Sequence, residues 1–239
     1  MKQEKVKDYY KKGGVVSKYE KKRFSSSGGS FVDRNEKDIV LSMFKEENVK
    51  TVLDVGCGTG RFSILLAQNG YSLTSLDQSE EMLEVINKKC NDQKLKIHTL
   101  KGDAFSLPFE DNTFDACVSM RVLWHFKDPE GILKEMIRVT KKDGIIVFDL
   151  LNKKSLRLLY TPIANLFVYT NLMRIKKMRE LIEKSNVKII KEKEFFIIPY
   201  FLYRYSLSFI AKILGGLENR LQKTKTKSFS SVIYFKLRK

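Results

Sequence analysis

Three cysteines in 239 residues, Cys57, Cys90 and Cys117, stand far apart and are odd in number. That excludes a disulfide framework and leaves no CxxC pair for a metal or redox motif, so a reducing, cytoplasmic setting is expected. Histidine is scarcer still. Only His98 and His125 occur, with no HExxH or clustered Cys/His/Asp pattern, which disfavours metal-dependent chemistry. A long apolar run is missing too. The most apolar stretch, FFIIPYFLYRYSLSFIAKILGG from Phe195 to Gly216, is interrupted by Pro199, Arg204 and Lys212, whereas a membrane span needs about 20 clean apolar residues. It is read as a strand followed by a lid helix. The opening MKQEKVKDYYKKGG is charged and lacks an apolar core, so no secretory signal is expected.

What is present suits a globular α/β chain. Hydrophobic residues make up 43% and aromatics 11%, enough to bury a substantial core. The net charge of +17 raises the question of an acidic partner: nucleic acid, anionic lipid or acidic substrates. Lysine outnumbers arginine and is scattered through every segment, which favours a generally basic surface over a dedicated nucleic-acid site. Residues 1–30 are polar, with isolated Tyr9, Tyr10, Tyr19 and Phe24, and end in SSSGGS, a flexible hinge by composition. They are expected to form an N-terminal arm. Residues 31–239 are expected to form one domain, with a core at 31–151 and a lid and edge-strand region at 152–239.

Past the arm, DRNEKDIVLSMFKEENV has helical apolar spacing, with Asp33 a candidate N-cap. Strands and helices then alternate. KTVLDVG, SLTSLDQ, KIHTLKGD, FDACVSMRV and IIVFDLL read as strands; GRFSILLAQNG, SEEMLEVINKKC and PEGILKEMIRVT read as helices, with Gly70 a stop, Ser79 an N-cap and KKDG a turn. This alternation predicts a parallel sheet covered by helices on both faces. After Leu151 the regularity loosens. RIKKMRELIEKSN is an amphipathic helix, while VKIIKEKEFFIIP and SFSSVIYFKLRK alternate like antiparallel edge strands. The segments 152–173 and 200–225 are too apolar for linkers and are expected to roof a pocket.

TVLDVGCGTGRFS is the most informative stretch. Gly56, Gly58 and Gly60 lie between a strand and a helix, where backbone N–H groups and a helix N-terminus can approach a ligand. A dinucleotide fingerprint counted from Gly56 requires glycine at position 61, and Arg61 stands there. Arg61 is read as solvated. Asp54 lies inside the strand end, and Asp77 ends the second strand, where an acid accepts from ribose hydroxyls or caps a turn. In GDAFSLPF, Asp103 is placed to accept from an adenine amine, with Phe105 or Leu107 beside the ring. Cys57 is read as a small loop residue rather than a redox group.

Taken in order, VLDVGCGTG, SLDQSEEML, GDAFSLPF, FDACVSMRVLWHF and RVTKKDGIIVF resemble the motifs of class I S-adenosylmethionine-dependent methyltransferases, in particular the small-molecule subgroup with ubiquinone-biosynthesis-type enzymes. The resemblance runs from about Phe31 to Leu150. It implies a Rossmann-like, doubly wound, seven-stranded sheet, mostly parallel with a reversed last strand. It also implies S-adenosyl-L-methionine as cofactor. Gly56, Cys57, Gly58 and Gly60 would form the methionine and ribose loop, organised by Asp54. Asp77 and Gln78 would take the ribose, Asp103 and Ala104 the adenine, and Met120, with Ser119 and Arg121, would pass near the methionyl part.

Methyl transfer needs an in-line nucleophile and a dry pocket, and a base only for some acceptors. His125, after the fourth strand, is the histidine placed to act on the acceptor; alternatively it packs beside Trp124 and Phe126. Arg23 and Arg34 are weaker candidates near the cofactor carboxylate. Aromatic Phe167, Tyr169, Phe201, Tyr203 and Tyr205 suggest a small, lipophilic or amphipathic acceptor, or ordinary packing. RNA methylation and cofactor binding without turnover are the competing functions, and a nicotinamide oxidoreductase is more distant.

Overall fold

A computed structural model describes residues 26–164, 170–199, 202–203, 206 and 208–239. Tyr9, Tyr10, Tyr19, Arg23, Phe24, Phe167, Tyr169, Phe201 and Tyr205 lie outside the described residues. The elements are α1 (Ser27–Phe44), β1 (Thr51–Val55), α2 (Arg61–Gln68), β2 (Ser72–Asp77), α3 (Glu80–Gln93), β3 (Ile97–Lys101) and β4 (Phe114–Ser119). A short turn of 3-10 helix, Leu123–His125, precedes α4 (Glu130–Val139), β5 (Thr140–Asn152), α5 (Arg157–Ala164) and β6 (Leu172–Met173). The chain closes with α6 (Ile175–Lys184), β7 (Lys188–Phe195), α7 (Ser208–Leu221), a 3-10 turn at Lys225–Phe229, and β8 (Val232–Arg238).

The strands form one sheet in the order β3-β2-β1-β4-β5-β8-β7, with the two-residue β6 paired to the end of β5. β1 to β5 are mutually parallel, and β8 runs antiparallel to both β5 and β7. The doubly wound sheet with a reversed last strand is therefore present. The reversed strand lies one place in from the edge, and β6 brings the count to eight.

Alternation along the strands feeds two cores. Val52, Ala116, Val118, Ile145, Val147 and Tyr234 face Val40, Met43, Phe62 and Leu66 of α1 and α2. Their neighbours Leu53, Cys117, Ile146, Phe148 and Phe235 face Ile132 and Met136 of α4 and Met178 and Ile182 of α6. Burial on both faces explains why these strands read as continuous apolar runs. Phe148 and Phe235 stack across the β5–β8 pair, with centroids 5.2 Å apart.

Several expectations change here. SSSGGS is no hinge in its described part: α1 starts at Ser27, and Ser26 caps it by accepting from Gly29 N at 3.0 Å. Gly28 permits this, because a Cβ there would fall 1.6 Å from the Tyr203 carbonyl oxygen. Asp33 is consequently not a cap but an interior residue, bonded to Arg61 Nε at 2.6 Å and Lys37 at 2.8 Å. Arg34 is exposed on the same helix. KKDG falls within β5, yet the register jumps there between Phe114 and Ala116, and Asp143 is left-handed at φ +62°. Among the described residues no helix is long and apolar enough to cross a membrane.

Candidate active site

The strand order reverses between β2-β1 and β1-β4, and in open α/β sheets ligands bind at the carboxyl ends beside such a switch. A cleft opens there, about 1030 Å³ including its part open to solvent. Gly56, Cys57, Gly58 and Thr59 form one wall, Asp77, Gln78, Asp103 and Ala104 another, and Met120, Val122, His125 and Phe126 a third.

The glycine loop is shaped by three left-handed residues, Gly56 (φ +72°), Gly58 (φ +55°) and Gly60 (φ +79°), a conformation that costs other residues a steric penalty. Their reasons differ. A Cβ at Gly56 would meet Val122 at 2.5 Å, and one at Gly60 would meet Ile86 of α3 at 2.4 Å, whereas one at Gly58 would enter open space. Gly60, which precedes α2, does not line the cleft; it packs α2 against α3. Gly56 N and Cys57 N both donate to Leu76 O, at 2.7 and 3.0 Å, and so strap the loop to β2.

Asp77 holds the loop from the other side. Its carboxylate accepts from Gly58 N at 2.8 Å and from Ser79 N at 2.9 Å. Burial raises its pKa, and the backbone donors from Ser79 and Gly58 oppose the rise. The turn-capping and ligand-facing readings therefore describe the same residue. Asp54 lies behind the loop rather than in the cleft. It accepts from Ser63 Oγ at 2.6 Å, and Ser63 accepts in turn from Ser75 Oγ at 2.9 Å, which ties α2 to β1 and β2. Burial, reinforced by nearby Asp77, pushes the Asp54 carboxyl up to about 7. Burial also drives the Cys57 thiol well above its usual range, which disfavours the reactive thiolate.

At the β3 end, Asp103 is exposed and accepts from Phe105 N at 3.0 Å. Neither Phe105 nor Leu107 lines the cleft, contrary to expectation. Leu107 is buried in the core, and Phe105 packs edge-on against Phe126, which does line it. Leu76, Met82 and Phe126 supply apolar wall in their place. Ser119 is buried and donates to Val55 O at 2.8 Å, while Met120 reaches the cleft.

His125 lines the cleft, and its Nε2 accepts from Trp124 Nε1 at 3.1 Å. This bond makes Nε2 the lone-pair nitrogen of the ring. Asn171 secures the turn: its backbone N donates to Trp124 O at 2.6 Å and its side chain to Phe126 O at 3.0 Å. Nothing in the sequence pattern marks Asn171.

A largely buried charge cluster also borders the cleft. Arg61, expected to be solvated, is 11% exposed and bonds Asp33 and Glu36. Glu36 is itself buried and also pairs with Arg121, so two cleft-lining guanidinium groups share one carboxylate from α1. Burial works to raise the Glu36 pKa, but Arg121 and Arg61 together outweigh it and hold the carboxyl below its usual range. Asp149 of β5 accepts from Arg121 N at 2.7 Å; burial pushes it up to about 7, and its Oδ2 is buried with no partner. A single acid inside IIVFDLL is the sequence signal that could have drawn attention to this cluster.

Among the described residues, none from 152–239 lines the cleft. Tyr203 is fully buried, stacks on Phe31 at 5.3 Å and donates to Glu218 Oε2 at 3.1 Å, so it belongs to the packing of α7 on α1.

Residues 53–148 match the family described as a methyltransferase domain. A malonyl-[acyl-carrier protein] O-methyltransferase from Serratia marcescens is 31% identical over 150 residues, which cover 63% of this chain and 57% of that protein. A ubiquinone biosynthesis O-methyltransferase from Coxiella burnetii is 32% identical over 120 residues, covering 50% of this chain and 51% of that one. The chain thus spans little more than half the length of the curated relatives it matches. In fold it is similar to magnesium protoporphyrin IX methyltransferase from Synechocystis PCC 6803, determined with bound SAH: TM-score 0.70, 16% identity, 98% of both chains covered. Over residues 53–148 the chain thus matches a methyltransferase domain, and its fold is similar to that of a methyltransferase of known structure.

Proposed function

We propose that the chain transfers a methyl group from S-adenosyl-L-methionine to a small, lipophilic or amphipathic acceptor, with an oxygen nucleophile favoured by the names of the two relatives. The observation that carries this reading is the cleft itself. It joins a left-handed glycine loop with open space above Gly58, two strand-end acids, Asp77 and Asp103, and apolar walls from Leu76, Met82, Met120 and Phe126. These residues fit an adenosine-bearing ligand. Asp77 and Gln78 would hold the ribose, Asp103 and Ala104 the adenine, and Gly56, Cys57 and Gly58 the methionyl part beside Met120. Asp54 and Gly60 act from behind by fixing α2. A nicotinamide dinucleotide is disfavoured because the Arg61 side chain is committed to Asp33 and Glu36 where that fingerprint needs glycine.

When bound, the donor supplies an electrophilic methyl on a sulfonium. The chain's task is to orient the acceptor in line and to exclude water, which provides much of the rate in such displacements. His125 faces the same cleft. With Nε2 engaged by Trp124 it serves to position the acceptor, and deprotonation by it would require that bond to give way. His125→Ala is expected to lower turnover while sparing donor affinity; equal loss of donor binding and thermal stability would assign it to packing alone.

The test of function is mass spectrometry of an extract incubated with the purified protein and isotopically labelled S-adenosylmethionine. Label in a small apolar molecule is the expected result. Label in RNA would replace the acceptor class, and no label beside intact donor binding would favour a non-catalytic binding protein.

A further inference from the structure

The segments added after β5 carry surface apolar residues that the fold does not use. Helix α7 has an inner face, with Ala211 and Glu218 buried and Gly215 closely opposed to Phe31 of α1. Its outer face bears Phe209, Ile213 and Leu217, four residues apart and 59%, 65% and 46% exposed. That spacing makes one continuous stripe down the helix. Leu156, Leu158 and Leu159 are likewise exposed where the chain enters α5, Leu159 at 78%, and Phe229 is exposed in the turn after α7.

These pieces are tied to one another. Asn152 Nδ2 donates to the carbonyls of Ser228 and Ser230, at 2.9 and 3.0 Å, which fixes the entry to α5 beside the turn after α7. Gln222, just past α7, donates to Ser230 Oγ at 3.1 Å. Topology puts these ties on the cleft side. Asn152 ends β5 and Val232 begins the antiparallel β8, so both lie on the sheet edge formed by the carboxyl ends of the parallel strands.

Charge distinguishes the occupant. Residues 152–164 contain no acid and carry Lys153, Lys154 and Arg157; residues 208–231 carry Lys212, Arg220, Lys223, Lys225 and Lys227. The single acid in these two segments is Glu218, and it is buried, bonded to Ile197 N and Ile198 N. A symmetric contact with a second copy would set these basic groups against one another. RNA would meet the lysines and leave the apolar stripe uncovered. An anionic bilayer satisfies both, taking the apolar side chains into the acyl boundary and the lysines at the headgroups.

We infer that the face formed by residues 152–164 and 208–231 docks on an anionic lipid surface and holds the cleft side of the sheet close to the bilayer. A lipophilic acceptor would then reach the cleft from the membrane, a consequence that rests on the methyltransferase reading, whereas the docking itself does not. The test is flotation of the full chain with vesicles of phosphatidylcholine alone or with phosphatidylglycerol at about 7:3 by mole. Binding to the mixed vesicles alone is expected. The charge-neutral pair Leu159→Gln and Ile213→Gln, and separately Lys223→Gln with Lys225→Gln, should each weaken it by about tenfold or more. Circular dichroism and the Tm of each variant verify folding, and donor titration separates failure of docking from failure of the donor site. No vesicle binding, equal binding to phosphatidylcholine alone, or binding indifferent to Leu159→Gln and Ile213→Gln would each overturn the inference. So would a vesicle-free dimer that Ile213→Gln dissociates, or preferential capture of RNA over mixed vesicles.

Discussion

The strand ends from β1 to β5 and the segments added after β5 use polar groups in opposite ways. Around the cleft, largely buried polar groups are paired from one element to another: Asp54 with Ser63, Asp77 with Gly58, and Glu36 with Arg61 and Arg121. In residues 152–164 and 208–231, the charged groups are mostly exposed lysines, and large apolar side chains share the surface with them. The first region is therefore expected to be intolerant of single changes and to answer to a small ligand. The second is expected to tolerate them and to answer to an external surface.

The largest effect should come from Glu36→Gln. It leaves two buried guanidinium groups without their shared anion, a loss of about 3–5 kcal/mol when one partner of a buried pair is removed. Chemical denaturation measures it, and an unchanged midpoint would mean that α1 is not held to the cleft through this cluster. Next, the glycines should separate. Gly60→Ala adds left-handed strain and a clash with Ile86, about 2–4 kcal/mol of stability. Gly58→Ala should cost only the strain, about 1–2 kcal/mol, and yet abolish donor binding by filling the open space above the loop.

Asp77→Ala should weaken donor binding by about 1–3 kcal/mol, the usual loss when a charged acceptor is removed, as calorimetry would show. A smaller effect is pH-dependent. Asp54 and Asp149, both pushed up to about 7, hold protons in the folded state that the unfolded chain releases at lower pH. Stability should therefore fall as pH rises through the window from ordinary carboxyl titration to about 7, and level off above it. Asp149→Asn should flatten that slope in thermal melts; an unchanged slope would show that Asp149 is not protonated there. At the other extreme, Leu159→Gln and Ile213→Gln should leave stability within about 0.5 kcal/mol of wild type, since neither side chain is buried in the fold.

The contrast also explains what the sequence made legible. The parallel strands, the Ser79 cap, the Gly70 stop and the glycine turn after β1 follow from local periodicity and turn chemistry, which act over a few positions. The Glu36–Arg121 pair joins residues 85 positions apart, and Arg61 read alone resembles any solvated first-turn arginine. Asp33 resembled a cap because capping residues and interior ion-pair partners are the same chemical types. The start of α1 depended on Gly28 lying against the Tyr203 backbone, a tertiary contact that composition reads as a hinge. Tyr203 was expected over a pocket because an aromatic cluster signals burial without saying against what; its partners are Phe31 and Glu218.

The central claim is that Gly58 and Asp77 form part of a donor site specific for the adenosyl-sulfonium family. Isothermal titration of the full chain with S-adenosylhomocysteine, repeated for Asp77→Ala and Gly58→Ala and with a nicotinamide dinucleotide in its place, tests it most directly. One-to-one binding to the wild type, weakening in Asp77→Ala, no binding in Gly58→Ala and no heat with the dinucleotide is the expected result. Binding of the dinucleotide, or equal affinity for S-adenosylhomocysteine in all three proteins, would contradict it.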